Sequence, residues 1–119
     1  MPYMLLILEP REQRAERGEE AGRAVYARML SFAEDLQNRG LLKITSSLHS
    51  DREGVRVQMR DGKPVLLDGP FTESKEMVGG FFYLTCRTWE EAVAIAQACP
   101  AAEWATVEVR ETGPCYEGI

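Results

Sequence analysis

The chain opens on an apolar run, Tyr3 to Leu8, whose length suits a strand covered on both faces or central in its sheet. The charged stretch from Glu9 to Glu20 reads as a solvated loop or a fraying helix start. Between Ala21 and Arg39, Val25, Tyr26, Met29, Leu30, Phe32, Ala33 and Leu36 recur at spacings of three and four, which predicts an amphipathic helix. Gly40 is its expected stop, because glycine enters the left-handed region cheaply. Leu41 to Leu48 reads as a second strand. Val55, Val57 and Met59 then alternate with Arg56, Gln58 and Arg60, the period-two pattern of a half-buried strand. Asp61-Gly62 is a hairpin turn signal, and Pro64 to Leu67 is the returning strand. Gly79 to Cys86 is a further strand, rich in aromatic residues. Thr88 and Glu91 have capping-box spacing and open a helix that buries Ala92, Val93, Ile95, Ala96 and Cys99; Pro100 ends it. Trp104 to Arg110 closes the pattern as an alternating strand with Ala105, Val107 and Val109 on one face.

The predicted order is strand, helix, strand, inserted hairpin, strand, helix, strand. Two β-α-β units in tandem make an α+β fold, the ferredoxin-like plait: an antiparallel sheet with two helices on one face. Such a sheet leaves its second face bare. The apolar excess of the strands (Tyr3, Phe81, Phe82, Tyr83) implies that this face is apolar too, and large exposed apolar patches usually mark interfaces. The expected assembly is a homodimer packed sheet to sheet about a two-fold axis.

A length of 119 residues fits a single domain over 1–119, and 45% hydrophobic with 28% charged residues is the balance of a globular chain. Nineteen acidic against 14 basic residues give a net charge of −5, which argues against nucleic-acid binding and against anionic membrane surfaces. The N-terminal apolar run is too short to span a membrane and lacks the basic region and cleavage site of a signal peptide. Cys86, Cys99 and Cys115 are odd in number and form no CxxC pair, so neither a disulfide framework nor a metal site is indicated. The reading is a reducing, cytoplasmic compartment.

Asp68-Gly69-Pro70-Phe71-Thr72-Glu73-Ser74-Lys75-Glu76 resembles the Asp-Gly-Pro-Phe-Ala-Glu-Thr-Lys-Glu run of the DGPF family, within the larger YCII-related group; Thr72 replaces the Ala and Ser74 the Thr. Tyr3-Met4-Leu5-Leu6-Ile7, Arg60-Asp61-Gly62, Glu91-Ala92, Pro100 and Val107-Glu108-Val109-Arg110 match flanking features, so the resemblance covers nearly the whole chain. It implies a dimeric ferredoxin-like α/β-barrel protein, related to the muconolactone-isomerase-like group and to a dehydrochlorinase acting on a chlorinated aromatic. Most members lack an assigned activity, and many resemble genes that lie beside sigma-factor genes. Enzymes of the YCII type use a His on the first helix with an Asp. This chain has no His there; Arg28 falls at about that place, so the His-Asp pair is not carried over.

Two function classes follow. The first is a cofactor-independent enzyme of the lyase or isomerase kind, acting on a small molecule in a dimer cleft. The second is a non-catalytic ligand-binding or regulatory accessory protein, linked to transcription through a sigma-factor neighbour. For the first, the expected proton-transfer residues are Asp68, Glu73 and His49, since carboxylates and imidazole move protons near neutral pH. Phe71, Lys75, Glu76 and Tyr83 are the expected ligand contacts. Each has a bland alternative: His49 as a surface histidine at a strand end, Asp68 as a turn residue, Phe71 as an anchor for its loop, and the Glu73-Lys75-Glu76 cluster as a solvated face. Gly79-Gly80 permits a bulge or a close backbone approach.

Overall fold

The computed structural model describes residues 2–118; of the domain expected over 1–119, Met1 and Ile119 lie outside the described residues. Strands β1 (Tyr3–Pro10), β2 (Leu42–Ser47), β3 (Val55–Arg60), β4 (Lys63–Asp68), β5 (Glu76–Leu84) and β6 (Thr106–Glu111) combine with helices α1 (Gln13–Asn38) and α2 (Trp89–Ala98). Four strands form an antiparallel sheet in the order β2-β5-β1-β6, and β3 and β4 form a separate two-stranded sheet. The chain is α+β, with two helices and antiparallel sheets, consistent with the ferredoxin-like class.

β1 is central, paired with β5 on one side and β6 on the other. It alternates all the same: Tyr3, Leu5, Ile7 and Glu9 are buried, while Met4, Leu6 and Leu8 are half-buried. The buried face receives Leu36 from α1 and Ala92, Ile95 and Ala96 from α2, and Phe82 and Leu84 of β5 complete the core. Leu5, Leu36 and Leu84 have no solvent exposure. Apolar burial of this kind is the main driving force for the fold.

Two expectations need correction. Of the two readings of Glu9–Glu20, the helix start holds from Gln13, where α1 begins with its ladder interrupted at Gly18 (φ 81°), and the solvated loop does not: Glu9 is a buried β1 residue. The opening turns of α1 carry charge and need no apolar face. The hairpin strands are also not half-buried, because no layer covers either face, and every residue of β3 and β4 is exposed. The turn itself is as expected, with positive φ at Asp61 (51°) and Gly62 (78°). So is the end of α1. Gly40 has φ 71°, and the Leu41 N–H donates to Leu36 O (2.9 Å).

Candidate functional site

The first half of α1 stands off the sheet, leaving a cleft of about 960 Å³ between them. Its sheet-side floor comes from Ile7, Glu9, Thr45, Ser47, Gly80 and Phe82. Val25, Tyr26 and Met29 of α1 form the opposite wall, and Trp104 and His49 are at its margin. Glu9, the one buried charged residue among those described, projects into this space. The Arg14 guanidinium grips it, Nε donating to Oε2 (3.1 Å) and Nη2 to Oε1, while Nη1 donates to Leu48 O (2.8 Å). A buried carboxylate is tolerated when paired and hydrogen-bonded in this way.

Gly79 of β5 explains how Glu9 fits. The pairing register slips between Ile7 and Leu8, so Ile7 faces Gly80 and Leu8 faces Val78, leaving Gly79 as the extra residue of a bulge. A Cβ on Gly79 would land on the Glu9 carboxylate, and one on Gly80 would lie 2.9 Å from Ser46 O. Gly79 leaves the space in which the carboxylate rests, while Gly80 lets the β2 backbone approach closely.

The Asp68–Glu76 loop lies elsewhere, at the root of the β3–β4 hairpin. Asp51 takes two hydrogen bonds from Arg11 (2.8 and 2.6 Å) and one from the Phe71 N–H (3.5 Å). Arg11 Nε also donates to Ser74 O (2.8 Å). The Arg11 hydrogen bond holds the Asp51 carboxyl below the usual range, and the same contact raises Arg11. Gly69 packs so tightly that a Cβ would strike Asp51 O; the Gly69–Pro70 peptide is cis. The Phe71 ring is buried under the Arg56 guanidinium, 3.9 Å from the ring centroid.

A family model, the YCII-related domain, matches residues 1–114. The chain belongs to that family. No curated protein matches it closely enough to be called a relative.

This YCII-related chain spreads the expected site residues over several surfaces. His49 lines the cleft and is strongly exposed, with Nδ1 3.2 Å from Glu53. Asp68 ends β4 at the surface. Glu73 is exposed and stands 3.8 Å from Arg56. Lys75 and Glu76 are exposed beside the end of β1, where the Arg11 N–H donates to Lys75 O (3.3 Å). Phe71 anchors the loop. Tyr83 points to the opposite side of the sheet from Phe82, under Lys43 Nζ (5.4 Å from the ring), and lines a smaller hollow with Pro2, Thr85 and Arg87. Arg28, at the place of the family's helix histidine, pairs with Glu103 (2.6 Å) over the Trp104 ring; the contact lowers the Glu103 carboxyl. One chain does not gather these residues into a single pocket.

Glu9, Arg14 and the Arg11–Asp51 pair were not singled out by the sequence reading. A signal for Glu9 existed: it continues the Tyr3, Leu5, Ile7 alternation, which puts it on the buried face. For Arg11 and Asp51, 40 residues apart, nothing local announces the pairing.

Proposed function

We propose that this YCII-related protein binds a small organic molecule in the cleft between α1 and the sheet and acts on it by cofactor-independent proton transfer, as a lyase or isomerase. The observation that carries this is the buried Glu9 carboxylate, paired with half-buried Arg14, at the base of a cleft of about 960 Å³, a volume and a mostly apolar lining typical of small-molecule sites. Glu9 is the buried carboxylate that faces the space, exposed Glu19 lines its α1 side, and His49 is the imidazole at its edge. Asp68 and Glu73 keep a role in this reading only if a second subunit brings them to the cleft. The working unit is a cytoplasmic homodimer of plaits stacked sheet to sheet as a dimeric α/β barrel. Supporting that assembly, the sheet side opposite the core carries half-buried Met4, Leu6, Leu8, Phe81 and Tyr83 with exposed Ile44 and Val78. Two buried free thiols, Cys86 and Cys99, fit a reducing compartment, and among the described residues no helix is long and apolar enough to cross a membrane.

The test is a screen of small lactones, phenols and organic acids, read by methyl resonances of Ile7, Val25 and Met29. Hits should shift these three and lose affinity in Ala33→Phe, which fills the cleft. Hits that shift only distant methyls would sink the reading. With a turned-over substrate in hand, Glu9→Gln is expected to lower kcat at least about 100-fold, as loss of a proton-transfer group does. A second reading, binding without turnover as a regulatory accessory protein, is favoured by one observation: of Asp68, Glu73 and His49, only His49 borders the cleft. Tight binding by hits with no chemical change over hours distinguishes it.

A further inference from the structure

The β3–β4 hairpin projects as an arm with two unlike faces. Cross-strand pairing sets Val57 opposite Leu66 and Met59 opposite Pro64, so these four share one face with Val55. Arg56, Gln58, Arg60 and Lys63 occupy the other, with Val65 and Leu67. On the apolar face Val55, Val57, Met59 and Leu66 are 51, 58, 65 and 63% exposed. They form a patch on the order of 400 Å², within the range of the largest apolar patch that a monomer leaves to solvent.

Nothing about the arm's root is loose. The Arg11–Asp51 pair, the buried Phe71 ring and the Gly69 N–H donating to Gly54 O (2.9 Å) all fix its direction. The arm also makes the chain unusually extended. The radius of gyration is 16.1 Å, with extents of 47 × 42 × 19 Å, whereas a compact chain of this length has about 13.5 Å. A fixed arm with an uncovered apolar face is an element whose packing partner lies outside its own chain.

We propose that the β3–β4 arm is a dimerisation element whose apolar face lies against the body of a second copy of this chain. The inference rests on the homodimer reading above and adds to it a second contact, separate from the sheet face. Area singles out a second copy. In a two-fold pair, two arms and the surfaces they cover bury about 1,600 Å², the standard size of a specific interface.

The experiment is sedimentation equilibrium of the full chain at micromolar concentration. The key variant is Val57→Lys with Leu66→Glu, two exposed, directly opposed positions whose new charges pair with each other and keep the hairpin formed. The expected result is a dimer dissociation constant raised by about 100-fold with an unchanged circular dichroism spectrum, the scale of losing a central apolar contact. Arg60→Gln with Lys63→Gln, on the other face, should leave the constant within threefold. A dimer indifferent to Val57→Lys with Leu66→Glu overturns the arm proposal and leaves the sheet-to-sheet reading standing. A wild-type chain that is monomeric throughout, or whose arm instead binds an unrelated protein, overturns it as well.

Discussion

Asp51 organises the root of the arm, although the eye goes to Asp68-Gly69-Pro70-Phe71. Its carboxylate ties Arg11 at the end of β1 to the backbone of the Phe71 loop. Hydrogen bonding from Arg11 outweighs the opposing desolvation and depresses the Asp51 pKa in the folded state. The pair therefore stabilises the protein above the pH at which an unfolded Asp titrates, and that contribution is lost as pH falls through the depressed folded value. Asp51→Asn should lower stability at neutral pH and flatten its decline in acid. Urea denaturation from neutral to acid pH measures both, and identical acid slopes in the two proteins would rule the linkage out. Glycines nearby and elsewhere make a paired prediction. Gly69→Ala drives a Cβ into Asp51 O, a backbone clash with no flexible end to yield, and should cost about 2–4 kcal/mol. Gly22→Ala, with nothing within 4 Å and a helical position, should stabilise by about 0.5–1 kcal/mol. Urea midpoints of the two variants moving the same way would show that the glycines are not distinguished by space.

At the scale of elements, α1 is held to the core from its C-terminal half: Leu36 is its only buried residue, with Met29, Phe32 and Ala33 packed partly beside it. The N-terminal half spans the cleft instead. Leu36→Ala should cost about 2–5 kcal/mol, the range for truncating a fully buried leucine. Leu30→Ala, half exposed, should cost under about 1 kcal/mol. Amide exchange should be faster from Glu19 to Val25 than from Phe32 to Leu36; equal protection would mean that the cleft is closed in solution. This division also shows what the sequence could tell. Periodicity found α1 where it packs, from Ala21 onward, and missed the charged opening turns, which bury nothing for a pattern to record. Local chemistry was read well wherever it was local: the Asp61-Gly62 turn, the Gly40 stop, and the Thr88 hydroxyl accepting from the Glu91 N–H (3.1 Å). The site is assembled from long-range pairs, Arg11 with Asp51 and Glu9 above Gly79, and no spacing rule reaches them. The alternating strand β3 misled for a related reason. Period two shows that a strand has two different faces, not that its own chain covers one of them.

For the whole molecule, shape decides how two copies can meet. The chain is a slab only 19 Å thick but 47 by 42 Å across, so its broad faces offer far more area than its edges. Stacking two slabs through the bare sheet face separates their centres by about one thickness. Joining them edge to edge separates the centres by about one width. For a two-fold pair, the squares of the subunit radius of gyration and of half that separation add, giving about 19 Å for the stacked dimer and about 26 Å for the edge-joined one. Small-angle scattering at a concentration where the dimer is saturated separates these values cleanly. We expect the smaller one, because stacking covers the apolar residues of β1 and β5, whereas an edge contact through β2 or β6 leaves them in water. Replacing Leu6 by Lys, at the middle of the bare face and opposite Phe81, should then shift the scattering toward the 16.1 Å of the single chain. If the wild-type radius were near 26 Å and Leu6→Lys left it there, the sheet face would be free, and the arm alone would have to hold the pair.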